Sequence, residues 1–175
     1  QFPETVGKSH FGRSGEASFI PDLVWSKNRD QTDDVTLYDS TRGVHDDLNS
    51  NNTSAEDTNT NGLQEFGSTF FRPGSLTRTN ETGDNYTAWS WKANGGTTSS
   101  NTDGTITSTV QANTTAGFSI VTYTGTGTQS DTVGHGLGKK PAWYFTKSRS
   151  EAQNWHVYHH KLDASAPENY IITLN

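Results

Sequence analysis

Pro21-Asp-Leu-Val-Trp-Ser-Lys-Asn-Arg29, with Tyr38 after eight further residues, and Pro141-Ala-Trp-Tyr-Phe-Thr-Lys-Ser-Arg149, with Tyr158 after eight further residues, are the two stretches that decide the fold. At a constant offset of 120, Pro21 falls on Pro141, Trp25 on Phe145, Lys27 on Lys147, Arg29 on Arg149, Leu37 on Val157 and Tyr38 on Tyr158. Matched spacing over such a span identifies an internal repeat. Each copy opens on a proline, which a strand tolerates at its head because it need not donate to the ladder there. An apolar run, a polar turn (Asn28 to Asp33; Ser148 to Gln153) and a returning run (Asp34 to Asp39; Asn154 to His159) follow, so the repeat reads as a duplicated β-hairpin.

The flanking sequence agrees. Gly117 to Tyr123 alternates, with Phe118, Ile120 and Thr122 opposite Ser119, Val121 and Tyr123, and reads as a strand stopped by Gly125 and Gly127. Tyr86 to Trp91 alternates with Thr87, Trp89 and Trp91 on one face. Thr105 to Val110 alternates after Asp103-Gly104, a dipeptide suited to a tight hairpin. No 3.6-residue apolar period persists, so helices are expected to be minor.

Composition points the same way. The chain has 175 residues, a net charge of −6, no Cys and no Met, and carries 27 Thr, 18 Ser, 14 Asn and 17 Gly. Few apolar residues, but 8 Phe, 6 Tyr and 5 Trp, describe an all-β protein whose core is built from aromatics. The missing Cys excludes disulfides and thiol chemistry. Neither nucleic-acid binding nor membrane insertion is expected, for want of a basic stripe or a long apolar run. The missing Met is expected to mark an excerpt of a longer polypeptide. The expected layout is a first β-sandwich unit over 1–93, a Gly/Thr/Ser-rich linker with a short hairpin strand over 94–116, and a truncated second unit over 117–175. Its missing strands would come from further chain or from a neighbouring subunit.

Candidate chemistry is sparse. Asp57, Asn59 and Asn61 alternate before Gly62 like the opening of a calcium loop, with Glu65 as a fourth donor, although Ser68 stands where a bidentate Glu is needed. His156 and His160 would share one strand face roughly 13 Å apart, too far for one metal, with His159 opposite. Asp33-Asp34, Asp46-Asp47 and Glu56-Asp57 read as solvated turns and not as a catalytic pair. No Gly-x-Ser-x-Gly elbow is present. Gly134-His-Gly-Leu-Gly-Lys139 lacks the residues of a phosphate loop and reads as a connection into the Pro141 strand. Trp25, Trp143 and Trp155 are candidate carbohydrate platforms, competing with the core for each ring.

Pro21 to Arg29, Leu37 to Gly43, Tyr86 to Ala93, Asn101 to Ser108, Gly117 to Gly125 and Val133 to Lys139 together resemble an uncharacterised repeat domain of phage virion structural proteins and tail fibres, especially of marine cyanophages. The resemblance covers nearly the whole chain and departs from it at Trp89-Ser-Trp91, where relatives often carry a Cys, and in the short second unit. It implies an all-β, antiparallel, concanavalin- or laminin-G-like jelly-roll β-sandwich on the virion surface. Other virion proteins, further copies of the chain and a host-surface glycan are the implied partners. It brings no catalytic residues, so a non-enzymatic role is expected. A lectin-like adhesion module and, more distantly, a glycan-degrading enzyme are the alternatives.

Overall fold

The computed structural model describes residues 19–175 and is all-β with antiparallel sheets. The first hairpin is β1 (Leu23–Asn28) and β2 (Thr36–Asp39). Then come β3 (Gly43–Asn49), β4 (Asp57–Thr58), β5 (Leu63–Phe66), β6 (Phe71–Pro73), a one-turn helix α1 (Thr77–Asn80) and β7 (Tyr86–Trp91). A five-stranded sheet takes the order β4-β3-β2-β1-β7, and β5 pairs with β6. Strands β8 (Ser99–Asn101), β9 (Ser108–Asn113) and β10 (Phe118–Thr122) form a second sheet. The second hairpin, β11 (Trp143–Thr146) and β12 (His156–His159), forms a third sheet with β13 (Ile172–Thr173), in the order β11-β12-β13.

The repeat is reproduced pair by pair. Leu23↔Asp39, Val24↔Tyr38, Trp25↔Leu37 and Ser26↔Thr36 in the first hairpin become Trp143↔His159, Tyr144↔Tyr158, Phe145↔Val157 and Thr146↔His156 in the second. Ser40 N donates to Asp22 O at 2.8 Å, and His160 N to Ala142 O at the same distance. Lys27 Nζ reaches the carbonyl of Gln31, and Lys147 Nζ that of the equivalent Glu151. At the return, Thr41 N donates to Asp39 Oδ1 and Lys161 N to His159 Nδ1.

The equivalence then continues at a different offset. Val35 N donates to Asn51 Oδ1 at 2.9 Å, and Trp155 N to Asn175 Oδ1 at 2.8 Å. The same two side chains donate through Nδ2 to Asp34 and Asn154. Asn175 is therefore the counterpart of Asn51, an offset of 124, because the chain between the paired residues Val157 and Ile172 is four residues longer than that between the paired residues Leu37 and Leu48. A 3-10 turn at Pro167–Asn169 occupies part of that longer link.

Two features differ from the sequence expectation. Residues 94–116, expected as a linker with one short hairpin strand, hold two strands, β8 and β9, and β9 pairs with β10 over five residues from Asn113↔Phe118 to Thr109↔Thr122. The expected boundary at 117 falls inside that hairpin, whose turn Gly117 closes at φ +70, a conformation glycine adopts without strain. Nor does a tight turn at Asp103-Gly104 start a strand at Thr105. Thr105 N bonds to Thr132 Oγ1 and Ile106 bridges Val133 in parallel, so the strand begins only at Ser108.

Alternation assigns β1 two faces. Leu23 and Trp25 share one with Leu37 and Leu48, and into this cluster Trp155 of the second hairpin inserts, with Phe145, Trp91, Phe118 and Ile120 packed around it. Because Phe145 is the counterpart of Trp25, the two hairpins bring like faces together. On the opposite face, Val24, Ser26 and Tyr38 meet Leu63, Tyr86 and Ala88 around a cavity of about 200 Å³. There Gly62 approaches so closely that a Cβ would lie 2.7 Å from Tyr38 Oη.

Candidate functional site: an exposed aromatic strand on the second hairpin

The two hairpins are locally alike and differently surrounded. In the first, β1 is flanked on both sides, by β2 and by β7, the latter in an unbroken register from Leu23↔Trp91 to Asn28↔Tyr86. Trp89 and Trp91 of β7 bring their rings to 6.1 and 6.4 Å from that of Trp25. In the second, β11 pairs among the described residues only with β12, and its other side is an edge there. Strand residues point N–H and C=O alternately to either side. Asp22 O faces β2 and Arg29 N faces β7, so odd-numbered residues of β1 bond to β7. By the same count, Trp143 and Phe145 direct their backbone groups to the open edge.

Exposure follows this difference. Leu23 and Val24 are buried, whereas their counterparts Trp143 and Tyr144 are 46% and 48% exposed. Trp143 lies 5.1 Å from Phe145 between ring centroids, and Tyr144 stacks on Tyr158 at 5.0 Å. Partial burial, then the neighbouring Tyr158 and Tyr123 phenols, push the Tyr144 phenol above its ordinary value. Tyr170, Ile171, Ile172 and Leu174, on and beside β13 of the same sheet, add exposed apolar surface. Concentrated apolar exposure of this kind marks interaction surfaces.

The two equivalent tyrosines carry the contrast inward. Tyr38 Oη donates to Asp47 Oδ2 at 3.2 Å, and Arg78 donates to the same carboxylate at 2.5 Å. Burial first, then the Asp47 charge, raises the Tyr38 phenol well above the usual tyrosine range. Burial also raises the Asp47 carboxyl, against the pull of Arg78 and Tyr38. Tyr158 Oη is buried too, but has no hydrogen-bond partner among the described residues.

A charged joint ties the hairpins together. Arg42 donates to Asp39 Oδ2 (2.5 Å), Glu56 Oε2 (2.8 Å) and the Leu37 carbonyl (2.9 Å). Arg149, in the turn of the second hairpin, grips Glu56 through Nε and Nη2, and Glu56 N returns a bond to the Arg149 carbonyl. Burial alone would raise the Glu56 carboxyl, but the bonds from Arg149 and Arg42 outweigh it and hold the group below its ordinary value. Sequence reading placed Asp46-Asp47 and Glu56-Asp57 in solvated turns. Asp47 is instead buried on β3 beside Arg78, and Glu56 is wedged between two arginines. Asp22, also missed, is fully buried and accepts from Ala93 N, Gly95 N, Gly96 N and Ser40 Oγ at 2.7–2.9 Å.

The tryptophans expected as sugar platforms separate. Contrary to that expectation, Trp155 is 2% exposed with Nε1 bonded to Asn49 O, and it has no face to offer a sugar. Trp25 is half-buried and donates to Ser50 Oγ, its rings shared with Trp89 and Trp91. Trp143 keeps an exposed ring.

The calcium donors do not fit the ion. Asp57 lies in β4 with its carboxylate 4.0 Å from Arg78, Asn59 Oδ1 accepts from Asn61 N in a local turn, and Glu65 pairs with Arg72. A cation beside each carboxylate opposes a second one. The histidines also depart from expectation, since β12 ends at His159 and His160 leaves the strand to set its ring 4.9 Å from that of His159. Among the described residues, no group of three or more His, Cys, Asp or Glu could hold a metal. Gly134 to Lys139 lines a shallow cleft of about 360 Å³ with Asp103 and Lys140.

No curated protein and no solved structure matches the chain. Residues 5–175 match a family model described as Domain of unknown function (DUF7483), and the chain belongs to that family.

Proposed function

We propose that the chain is a non-enzymatic structural component of a phage virion, part of a tail fibre or other surface appendage, which assembles through β-edges and meets the host surface. The finer fold in this reading is a concanavalin- or laminin-G-like jelly-roll β-sandwich. The observation that carries it is the duplicated hairpin whose second copy keeps an open, aromatic edge at β11. Exposed strand edges recruit other strands, and repeated units stack into extended assemblies. A Thr- and Asn-rich exterior without Cys or Met suits a particle surface, because it leaves no thiol or thioether to oxidise. Its partners are then other virion proteins and further copies of itself. Antibodies against the chain are expected to decorate an appendage of intact particles in electron micrographs, and peptides from 19–175 to be found in the purified particles by mass spectrometry. Particles that contain none of the chain would overturn the reading.

A lectin-like module is the second reading, favoured by the exposed rings of Trp143 and Tyr144. Glycan-array binding that Trp143→Ala abolishes would support it. Release of reducing ends from host polysaccharide would contradict both readings in favour of a glycan-degrading enzyme.

A further inference from the structure

The molecule contains its own precedent for what covers the open edge. The same hairpin occurs twice with the same four-pair register, and in the first copy the outer side of its leading strand carries β7. We propose that the outer edge of β11 is a docking site for one antiparallel strand of the β7 type, an extended six-residue segment that places aromatic rings at alternate positions of one face among small side chains, supplied by another polypeptide. The inference rests on the β-edge assembly reading and names the strand that reading requires.

The first copy fixes the geometry. Trp89 is paired with Trp25 and Trp91 with Leu23, so the incoming aromatics would lie opposite Phe145 and Trp143. Their ladder bonds would take up the backbone groups of Trp143 and Phe145, which no described residue occupies on that side. The guest is not β7 of a second copy: this antiparallel register, with its aromatics on the Phe145 face, uses the edge of the strand that each β7 already gives to β1 along its whole length, and only the outer edge of β7 is unpaired among the described residues. One fastening is absent. Asp22, which binds three backbone N–H groups just beyond β7, is replaced at the equivalent position by Ala142. The docked strand is thus held by ladder and rings alone and stays exchangeable.

The test mixes the whole chain with the peptide Asn-Tyr-Thr-Ala-Trp-Ser-Trp-Lys, the sequence of residues 85–92, and follows calorimetry together with amide exchange. Expected are one peptide per chain, slowed exchange at Trp143 and Phe145, and at least tenfold weaker binding to Trp143→Pro. That substitution removes a donor from the open edge while leaving the β12 ladder, since the lost N–H points away from β12. Trp143→Lys keeps every backbone bond and is expected to weaken binding as well, which covers the case in which proline disturbs the hairpin. Undiminished binding to both variants, or slowed exchange elsewhere in the chain with none at Trp143 and Phe145, would overturn the proposal. A chain that self-associates through another surface and ignores the peptide would overturn it while leaving the assembly reading intact. A strictly monomeric, peptide-blind chain would overturn both.

Discussion

The first hairpin is enclosed and the second is open, although the two share register, turn bonds and closing asparagine. Local sequence therefore builds the hairpin, and its neighbours decide what each position is for. Val24 is 1% exposed where Tyr144 is 48% exposed, and Tyr38 has an ion pair to bond where Tyr158 has none. Elements that flank the strands of only the first copy, β7 by pairing with β1 and the β5–β6 hairpin by covering its opposite face, produce the difference.

Substitutions at paired positions can break or sharpen this contrast. The largest effect is expected at the junction of the two copies: Trp155→Ala should lower stability by about 3–5 kcal/mol in urea melts, because a fully buried ring leaves a cavity. Trp143→Ala, on the same hairpin but exposed, should stay within about 0.5 kcal/mol of the parent. Next, Tyr38→Phe should cost about 1.5–3 kcal/mol by losing a hydrogen bond to a buried charge. Tyr158→Phe should be neutral or slightly stabilising, since it removes an unpartnered hydroxyl. Equal losses at the two tyrosines would erase the distinction drawn between them.

The lysines of the two turns predict similarity instead. Lys27→Met and Lys147→Met each remove an ammonium that donates to two turn carbonyls, and each should cost about 1 kcal/mol. The joint contributes little at neutral pH. Arg149 is partly exposed, and Arg149→Ala should cost at most about 1 kcal/mol at neutral pH. Its pH dependence is more telling. The Glu56 carboxyl is held below its ordinary value of 4.5, so the stability it contributes is complete above that value and is lost as pH falls through the lower folded-state value. Arg149→Ala should shrink that acid limb of the stability profile, and Glu56→Gln should remove it.

The repeat was legible because its markers are rigid or bulky types at fixed spacing: prolines, large aromatics and a lysine that bonds its own turn. Strand β7 was legible from strict alternation, and its aromatic face was found. The change of offset from 120 to 124 was not, because a loop insertion leaves no periodic trace and shows only in the bonds of Asn51 and Asn175 and in the register of β3 and β13. The buried charges were hidden for a different reason. Asp22, Asp47 and Glu56 look like turn residues until Arg42, Arg78, Arg149 or the N–H groups of residues 93–96 arrive from far along the chain. Likewise, Trp155 and Trp143 are indistinguishable as sequence. One meets the packed face of the five-stranded sheet and the other meets solvent.

Amide exchange, residue by residue on the isolated chain, tests the central claim most directly. Tyr144 and Thr146 bond to β12 and should be protected, whereas Trp143 and Phe145 should exchange fast, in contrast to the slow amides of their counterparts Leu23 and Trp25. Equal protection of Trp143, Phe145, Leu23 and Trp25 would mean that β11 is covered as β1 is, and would contradict the account of one closed and one open hairpin.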